Sequence, residues 1–280
     1  MSDHPITSNF VDVGDLRLHW NEAGEGDPVI LLHGGGPGSF GLSNYSKNVQ
    51  PIAAAGHRVI TLDLPGYGQS SKPRIREPLW GYLAKAVAGF IDALGLGKAH
   101  LVGNSLGGAT ALKTALDHPG KVDRLVLMGP GGGYSTLSPS PTAGIFQILT
   151  FYAPPGPSME KLRAFVQQLV YDPKQVTDEV LEERLRVASD PETAENFPLR
   201  LRPGDPTPIE ELWRERLDQL PHETLIIWGR EDRVNPLDQG MILMRQIPNA
   251  RLSVLPKCGH WAQWEKADEF NRSVIDFLRS

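Results

Sequence analysis

Cysteine is almost missing from this 280-residue chain: Cys258 stands alone, which excludes an internal disulfide and a cysteine-built zinc site. Runs of Lys or Arg are missing as well, and a formal net charge of −5 leaves no basic stripe for nucleic acid or an anionic membrane surface. The opening residues, MSDHPITSNF, have neither the basic start nor the apolar stretch of a secretion signal, and no run of about 18 apolar residues is present to cross a bilayer. Internal repeats and low-complexity tracts are absent. The sequence thus predicts a cytoplasmic, soluble protein with neither nucleic acid nor membrane as partner. At 40% hydrophobic and 22% charged residues, the composition is that of a folded protein with a substantial core.

Residues 9–13 and 16–21 read as an opening β-hairpin, and the apolar runs at 28–32, 58–63, 99–102, 124–128, 224–228 and 251–255 read as strands. Helical patterns at 80–94 and 108–117 alternate with them, and a last helix is expected over 265–278. Strand–helix alternation implies crossover connections and a mostly parallel sheet flanked by helices. The alternation stops after Met128 and resumes only near Thr224. The stretch between begins rich in Gly, Pro and Ser and then carries amphipathic helical patterns at 159–171 and 177–189. An inserted helical cap accounts for it, with core at 1–134, cap at 135–207 and core again at 208–280. Of the cap aromatics, Phe146, Phe151, Tyr152, Phe165 and Tyr171 either line an apolar site or pack the cap onto the core.

Within this frame the segment LVGNSLGG sets Ser105 between Gly103 and Gly107, after a strand and before a helix. A serine on such a sharp strand-to-helix turn needs small neighbours two residues away on each side, so that strand and helix approach while the hydroxyl projects. A hydroxyl of ordinary acidity is a poor nucleophile, so a base and an orienting acid are needed downstream. Of the eight histidines, His260 follows the last strand and precedes the final helix, which makes it the candidate base. Asp232 ends the strand at 224–228 and is the candidate acid, with Glu231 as its neighbouring rival. Cys258 is expected to be an apolar filler beside the base.

The glycine-rich run HGGGPG, residues 33–38, follows the apolar run at 28–32. It offers the Gly35 amide as one oxyanion donor, with the Leu106 amide as the other. A phosphate cradle would need a Lys-Ser/Thr sequel that is missing.

Together, HGGGPG, GNSLGGATAL, LVLMGPGG, WGREDRVNPLD and CGHWAQWEK resemble the meta-cleavage product hydrolases of the α/β-hydrolase superfamily, over nearly the whole chain. The resemblance implies an α/β-hydrolase fold. It also implies hydrolysis of a carbon–carbon bond in a 2-hydroxy-6-oxohexa-2,4-dienoate-type ring-fission product, without cofactor or metal. Catalytic roles carry over to Ser105, Asp232 and His260, and substrate contacts to Gly35, Gly36, Asn44, Asn104 and Trp261. The family's cap arginine corresponds to Arg184, with Arg186 as a nearby rival. One departure is Tyr171-Asp172-Pro173-Lys174, where many relatives have a small polar residue after Tyr-Asp; it leaves any polar contact there, and the role of Lys174, open. The expected partner is a small-molecule dienoate, with a homo-oligomer left open. The competing functions are a carboxylesterase or proline-iminopeptidase-like hydrolase, and a non-catalytic ligand receptor on the same fold. Bleaching of a yellow dienolate, hydrolysis of simple esters, or neither would separate the three.

Overall fold

The computed structural model describes residues 4–133, 137–200 and 212–280. Among these, eight strands form one sheet: β1 (Thr7–Val13), β2 (Leu16–Ala23), β3 (Asp27–Leu32), β4 (His57–Leu62), β5 (Ala99–Asn104), β6 (Val122–Met128), β7 (Thr224–Gly229) and β8 (Ala250–Leu255), in the order β1-β2-β4-β3-β5-β6-β7-β8. The β1–β2 pair is antiparallel, as the hairpin pattern predicted; β2 also meets β4 antiparallel, and the other pairs are parallel, as the crossover pattern predicted.

The central strands read as unbroken apolar runs because both faces are covered. In β3, Ile30 and Leu32 join one cluster with Leu83, Phe90 and Leu112, while Val29 and Leu31 join another with Ile52, Phe270 and Val274. The covering helices of the core are α1 (Gly41–Tyr45), α2 (Val49–Ala54), α3 (Leu79–Ala93) and α4 (Leu106–Asp117). Between β6 and β7 come α5 (Ala143–Thr150), α6 (Met159–Leu169), α7 (Asp178–Ala188) and α8 (Pro191–Asn196), followed later by α9 (Leu237–Gln246), α10 (Ala262–Glu265) and α11 (Ala267–Arg279). Side-chain caps start three of the inserted helices: Thr142 accepts from the Ile145 amide, Ser158 from that of Lys161, and Asp190 from that of Thr193.

The inserted helices lie where a cap was expected, but both of its expected boundaries, 134/135 and 207/208, fall outside the described residues. The expected final helix over 265–278 is α11, which starts two residues later, and a short α10 precedes it. Lys266 leaves the helical conformation at φ −127° and ψ 44°, separating α10 from α11. The five aromatics separate by role. Phe151 and Tyr152 are buried and meet edge-to-face, Phe165 is buried against the cavity described below, and Phe146 and Tyr171 are 53% and 44% exposed. Among the described residues no helix is long and apolar enough to cross a membrane.

Burial holds the imidazoles of His57, His100 and His33 below the ordinary histidine range. The unfolded chain binds protons at these residues near an ordinary pKa of about 6.5, before the folded chain does. Their contribution to stability is therefore present above that pH and is lost as the pH falls below it. The urea midpoint is expected to drop between pH 7.5 and 5.5, and less steeply for a His57→Gln, His100→Gln variant; equal slopes for the two proteins would refute this account.

Candidate active site

The turn after β5 carries Ser105 at φ 54° and ψ −112°, a backbone state that costs about 1–3 kcal/mol and persists only where surroundings enforce it. They do so here through close approach. A Cβ on Gly103 would lie 2.3 Å from the Gly107 carbonyl oxygen, and one on Gly107 would lie 2.1 Å from that of Leu32. The Ser105 amide donates to the Met128 carbonyl at 2.9 Å, and α4 starts at once with Leu106, two residues earlier than the sequence pattern suggested.

The loops after β7 and β8 bring the other two predicted residues together. His260 Nδ1 donates to Asp232 Oδ2 at 2.6 Å, and Asp232 Oδ1 accepts the amides of Val234 at 2.8 Å and Asn235 at 2.9 Å. The carboxylate is thus fixed at both oxygens. Glu231 is engaged elsewhere, accepting from the Cys258 amide at 3.0 Å and from the Arg230 guanidinium at 2.7 and 2.8 Å. Cys258 is fully buried, as a filler would be, and burial pushes its thiol well above the usual range. His260 Nε2 is buried with no hydrogen-bond partner among the described residues, and its ring shares a cavity wall with Ser105.

The glycine-rich loop borders the same cavity. A Cβ on Gly34 would lie 3.6 Å from Ser105 Cβ, and one on Gly35 would lie 3.1 Å from Leu106 Cβ, so the two predicted oxyanion donors belong to adjacent residues. His33 anchors the loop. Its Nε2 accepts the Leu64 amide at 3.0 Å, which places the ring proton on Nδ1, donated to the Gly34 carbonyl at 2.8 Å.

Arg184, from α7, is 2% exposed and projects to this loop. Its Nη2 donates to the Pro37 carbonyl at 2.8 Å and to Ser39 Oγ at 2.9 Å, and its guanidinium carbon lies 5.3 Å from the centre of the Trp261 ring. Nε and Nη1 have no partner among the described residues, and burial lowers the guanidinium pKa to about 10. Arg186 is exposed and borders a separate surface groove with Lys72 and Asp190, so of the two arginines it is Arg184 that lines this cavity. Gly36, Asn44, Asn104 and Trp261 also line the cavity. Asn44 accepts from Trp261 Nε1 at 2.9 Å, and Asn104 Nδ2 donates to the His260 carbonyl at 3.2 Å. The apolar wall is Ile148, Phe165 and Leu169 from the inserted helices. Lys174 is exposed, and its amide donates to Asp172.

Two contributors were not foreseen. Gly129, at φ 46°, lies under the His–Asp pair: a Cβ there would come 3.1 Å from the imidazole and 3.2 Å from Asp232 Oδ2. Its only signal was a glycine directly after a strand. Asn235 donates from Nδ2 to the Gly129 carbonyl at 2.8 Å, and its signal was the Asp-x-x-Asn spacing of a side-chain-closed turn.

A serine on a strained elbow, a histidine paired with an aspartate and a glycine loop on one sheet edge define an α/β hydrolase, and the model of the alpha/beta hydrolase family matches residues 29–273. A 2-hydroxy-6-oxo-6-phenylhexa-2,4-dienoate hydrolase of Comamonas testosteroni is 47% identical over 96% of this chain and 93% of its own length. A 2-hydroxy-6-oxononadienedioate/2-hydroxy-6-oxononatrienedioate hydrolase of the same species is 43% identical over 98% and 95%. Among solved structures, a serine-to-alanine variant of the meta-cleavage product hydrolase of Pseudomonas fluorescens IP01 is 34% identical, with a TM-score of 0.87 over 97% of both chains. The chain belongs to the meta-cleavage product hydrolases of the α/β-hydrolase family.

Because the Gly107 site is closed by backbone, Gly107→Ala is expected to cost about 2–3 kcal/mol. Gly81, inside α3, has nothing within 4 Å of a Cβ position, so Gly81→Ala is expected to stabilise by about 0.5–1 kcal/mol. Urea denaturation measures both, and equal effects would remove the steric account of the elbow.

Proposed function

We propose that the protein hydrolyses the C5–C6 bond of a 2-hydroxy-6-oxohexa-2,4-dienoate, giving a 2-hydroxypenta-2,4-dienoate and a carboxylic acid. Ser105 is the nucleophile, His260 the base, Asp232 its orienting acid, and the amides of Gly35 and Leu106 the oxyanion donors. The observation that carries this reading is the buried Arg184 guanidinium, with two nitrogens unclaimed among the described residues, on the wall of the cavity that holds Ser105 and His260. A simple esterase has no use for a buried cation, whereas a carbon leaving group needs an electron sink.

In the proposed sequence, a proton first moves from the 2-hydroxyl to C5, turning the dienol into a 2-oxo compound. Arg184 favours this form by binding the carboxylate and oxo oxygens. Ser105 Oγ passes its proton to His260 Nε2 and bonds to C6, while Asp232 holds the imidazole tautomer. The C5–C6 bond then breaks, its electrons enter the 2-oxo system, and His260 returns the proton to the departing fragment. Water, deprotonated by the same imidazole, releases the acid from Ser105. Asn44 and Asn104 act here by fixing Trp261 and the His260 loop. The cap, taken as 135–207, closes the site, and the working compartment is the cytoplasm; assembly as a homo-oligomer is compatible with this reading.

The test compares the chromogenic dienoate with p-nitrophenyl acetate, which needs no electron sink. Ser105→Ala is expected to lower kcat by several powers of ten on both. Arg184→Gln is expected to lower dienoate kcat by about 100-fold and ester hydrolysis by less than about threefold. A wild-type protein that leaves the dienoate coloured, or an Arg184→Gln variant equally impaired on both substrates, would overturn the proposal.

Among the described residues lining the cavity, Arg184 is the one permanent cation, and the rest of the wall from the inserted helices is apolar. A substrate with a second carboxylate on its acyl end would have to bury that charge without a partner there, at a cost of several kcal/mol. The 6-phenyl dienoate is therefore expected to exceed the nonadienedioate in kcat/KM by about tenfold or more. The reverse order would remove the apolar-acyl assignment and leave the bond-cleavage reading intact.

A further inference from the structure

Residues 169–171, the last residue of α6 and the two after it, are gripped by both loops that carry the His–Asp pair. The His260 amide donates to the Leu169 carbonyl at 2.7 Å, Arg233 Nη2 to the Val170 carbonyl at 3.0 Å, and the Tyr171 amide to Glu265 Oε2 at 2.6 Å. Glu265 is itself buried and also accepts the Gly259 amide at 3.0 and 3.2 Å and the Trp261 amide at 3.3 Å. The amides on either side of His260 thus end on one carboxylate, and the amide of His260 ends on the inserted segment. The contact is close enough to require glycine. A Cβ on Gly259 would lie 2.8 Å from the Leu169 carbonyl oxygen and 2.9 Å from the Tyr171 nitrogen.

We propose that Glu265 is a positioning residue whose carboxylate joins segment 169–171 to the backbone around His260, so that seating of the cap and placement of the imidazole are one event. This rests on the reading of His260 as the base. Leu169 lines the cavity while its carbonyl holds the His260 amide, so a substrate that presses on the Leu169 side chain acts on the same segment that fixes the base. Burial raises the Glu265 carboxyl above the usual range, and the three backbone N–H groups oppose that shift. A glutamine keeps the size but exchanges one acceptor oxygen for an NH2 group. Since N–H donors face both oxygens, either orientation of that amide sets one donor against another.

The test uses the full chain as Glu265→Gln, with competent sites counted by stoichiometric fluorophosphonate labelling and turnover expressed per competent site. A tether that positions the base predicts a kcat about ten- to 100-fold lower on both p-nitrophenyl acetate and the dienoate, with the ester KM within about threefold of native. It also predicts that the downfield His260 Nδ1–H proton resonance moves or broadens. Native turnover per site with an unmoved resonance overturns the proposal, because a purely structural role would change only stability and the fraction of competent sites. If Glu265→Gln does not fold, exposed Arg233 decides: Arg233→Met loosens the same segment from the acid loop, and a lower per-site kcat with a shifted resonance supports the proposal, whereas native values for both overturn it. Wild-type protein that hydrolyses the ester but spares the dienoate would sink the proposed function alone, since the ester and resonance measurements still judge the tether.

Discussion

The site depends on one backbone constraint, the turn that holds Ser105 at positive φ between β5 and α4. Such a turn is stable only if strand and helix come closer than side chains permit, and Gly103 and Gly107 supply that closeness through contacts between main-chain atoms. Once the elbow is set, other distances follow. The Leu32 carbonyl meets Gly107, so the glycine-rich loop after β3 emerges beside Ser105, and Gly35 becomes the neighbour of Leu106. Parallel order places the ends of β6, β7 and β8 along the same edge, which lets Gly129, Asp232 and His260 converge without long excursions of chain.

A second constraint has the same sign and a different cause. The elbow loses stability through strain, whereas Arg184 loses it through desolvation, since a cation removed from water costs several kcal/mol unless its partners restore the lost hydration. Among the described residues only Nη2 finds hydrogen-bond partners, and the Trp261 face adds a cation–π contact of about 0.5–2 kcal/mol. A buried guanidinium left partly unsatisfied is a site whose free energy falls when an anion arrives. The glycine loop makes this burial feasible, because Gly38 at φ 68° passes so close to α7 that a Cβ would lie 2.0 Å from the Arg184 carbonyl oxygen.

Residues whose roles demand particular local chemistry were legible in the sequence. Ser105 announced itself through the flanking glycines, and Asp232 and His260 through loops at strand ends, since a steric demand or a strand terminus leaves a mark within a few residues. Helical spacing accounts for which of the two arginines turns inward: Leu181, Arg184 and Ala188 form the buried stripe of α7, and Arg186 lies off it. What the sequence could not reveal is contact between main-chain atoms far apart along the chain. The bonds from Tyr171 to Glu265 and from His260 to Leu169 involve amides and carbonyls that every residue has, so no residue type marks them. The break at Lys266 was hidden for a related reason, because nothing in the run from 265 to 278 interrupts its helical pattern, while the Glu265 side chain turns back toward amides outside it.

The chemistry is divided between the sheet edge and the inserted helices. The core edge holds Ser105, His260 and the glycine-rich loop, the groups that the proposed acyl transfer uses, whereas the inserted helices bring Arg184 from α7 and the apolar wall from α5 and α6. An enzyme that breaks a carbon–carbon bond must align both sets on one substrate, the cation at the dienoate end and the nucleophile at C6. Rigid registry between the sheet edge and the inserted helices is therefore a catalytic requirement as well as a matter of stability. The structure meets it where glycines let main chain touch main chain, Gly38 against α7 and Gly259 against segment 169–171. Changes to the apolar wall can then alter the acyl group accepted while these contacts keep the cation and the nucleophile in register, which is how one reaction on this scaffold can serve substrates with different acyl ends.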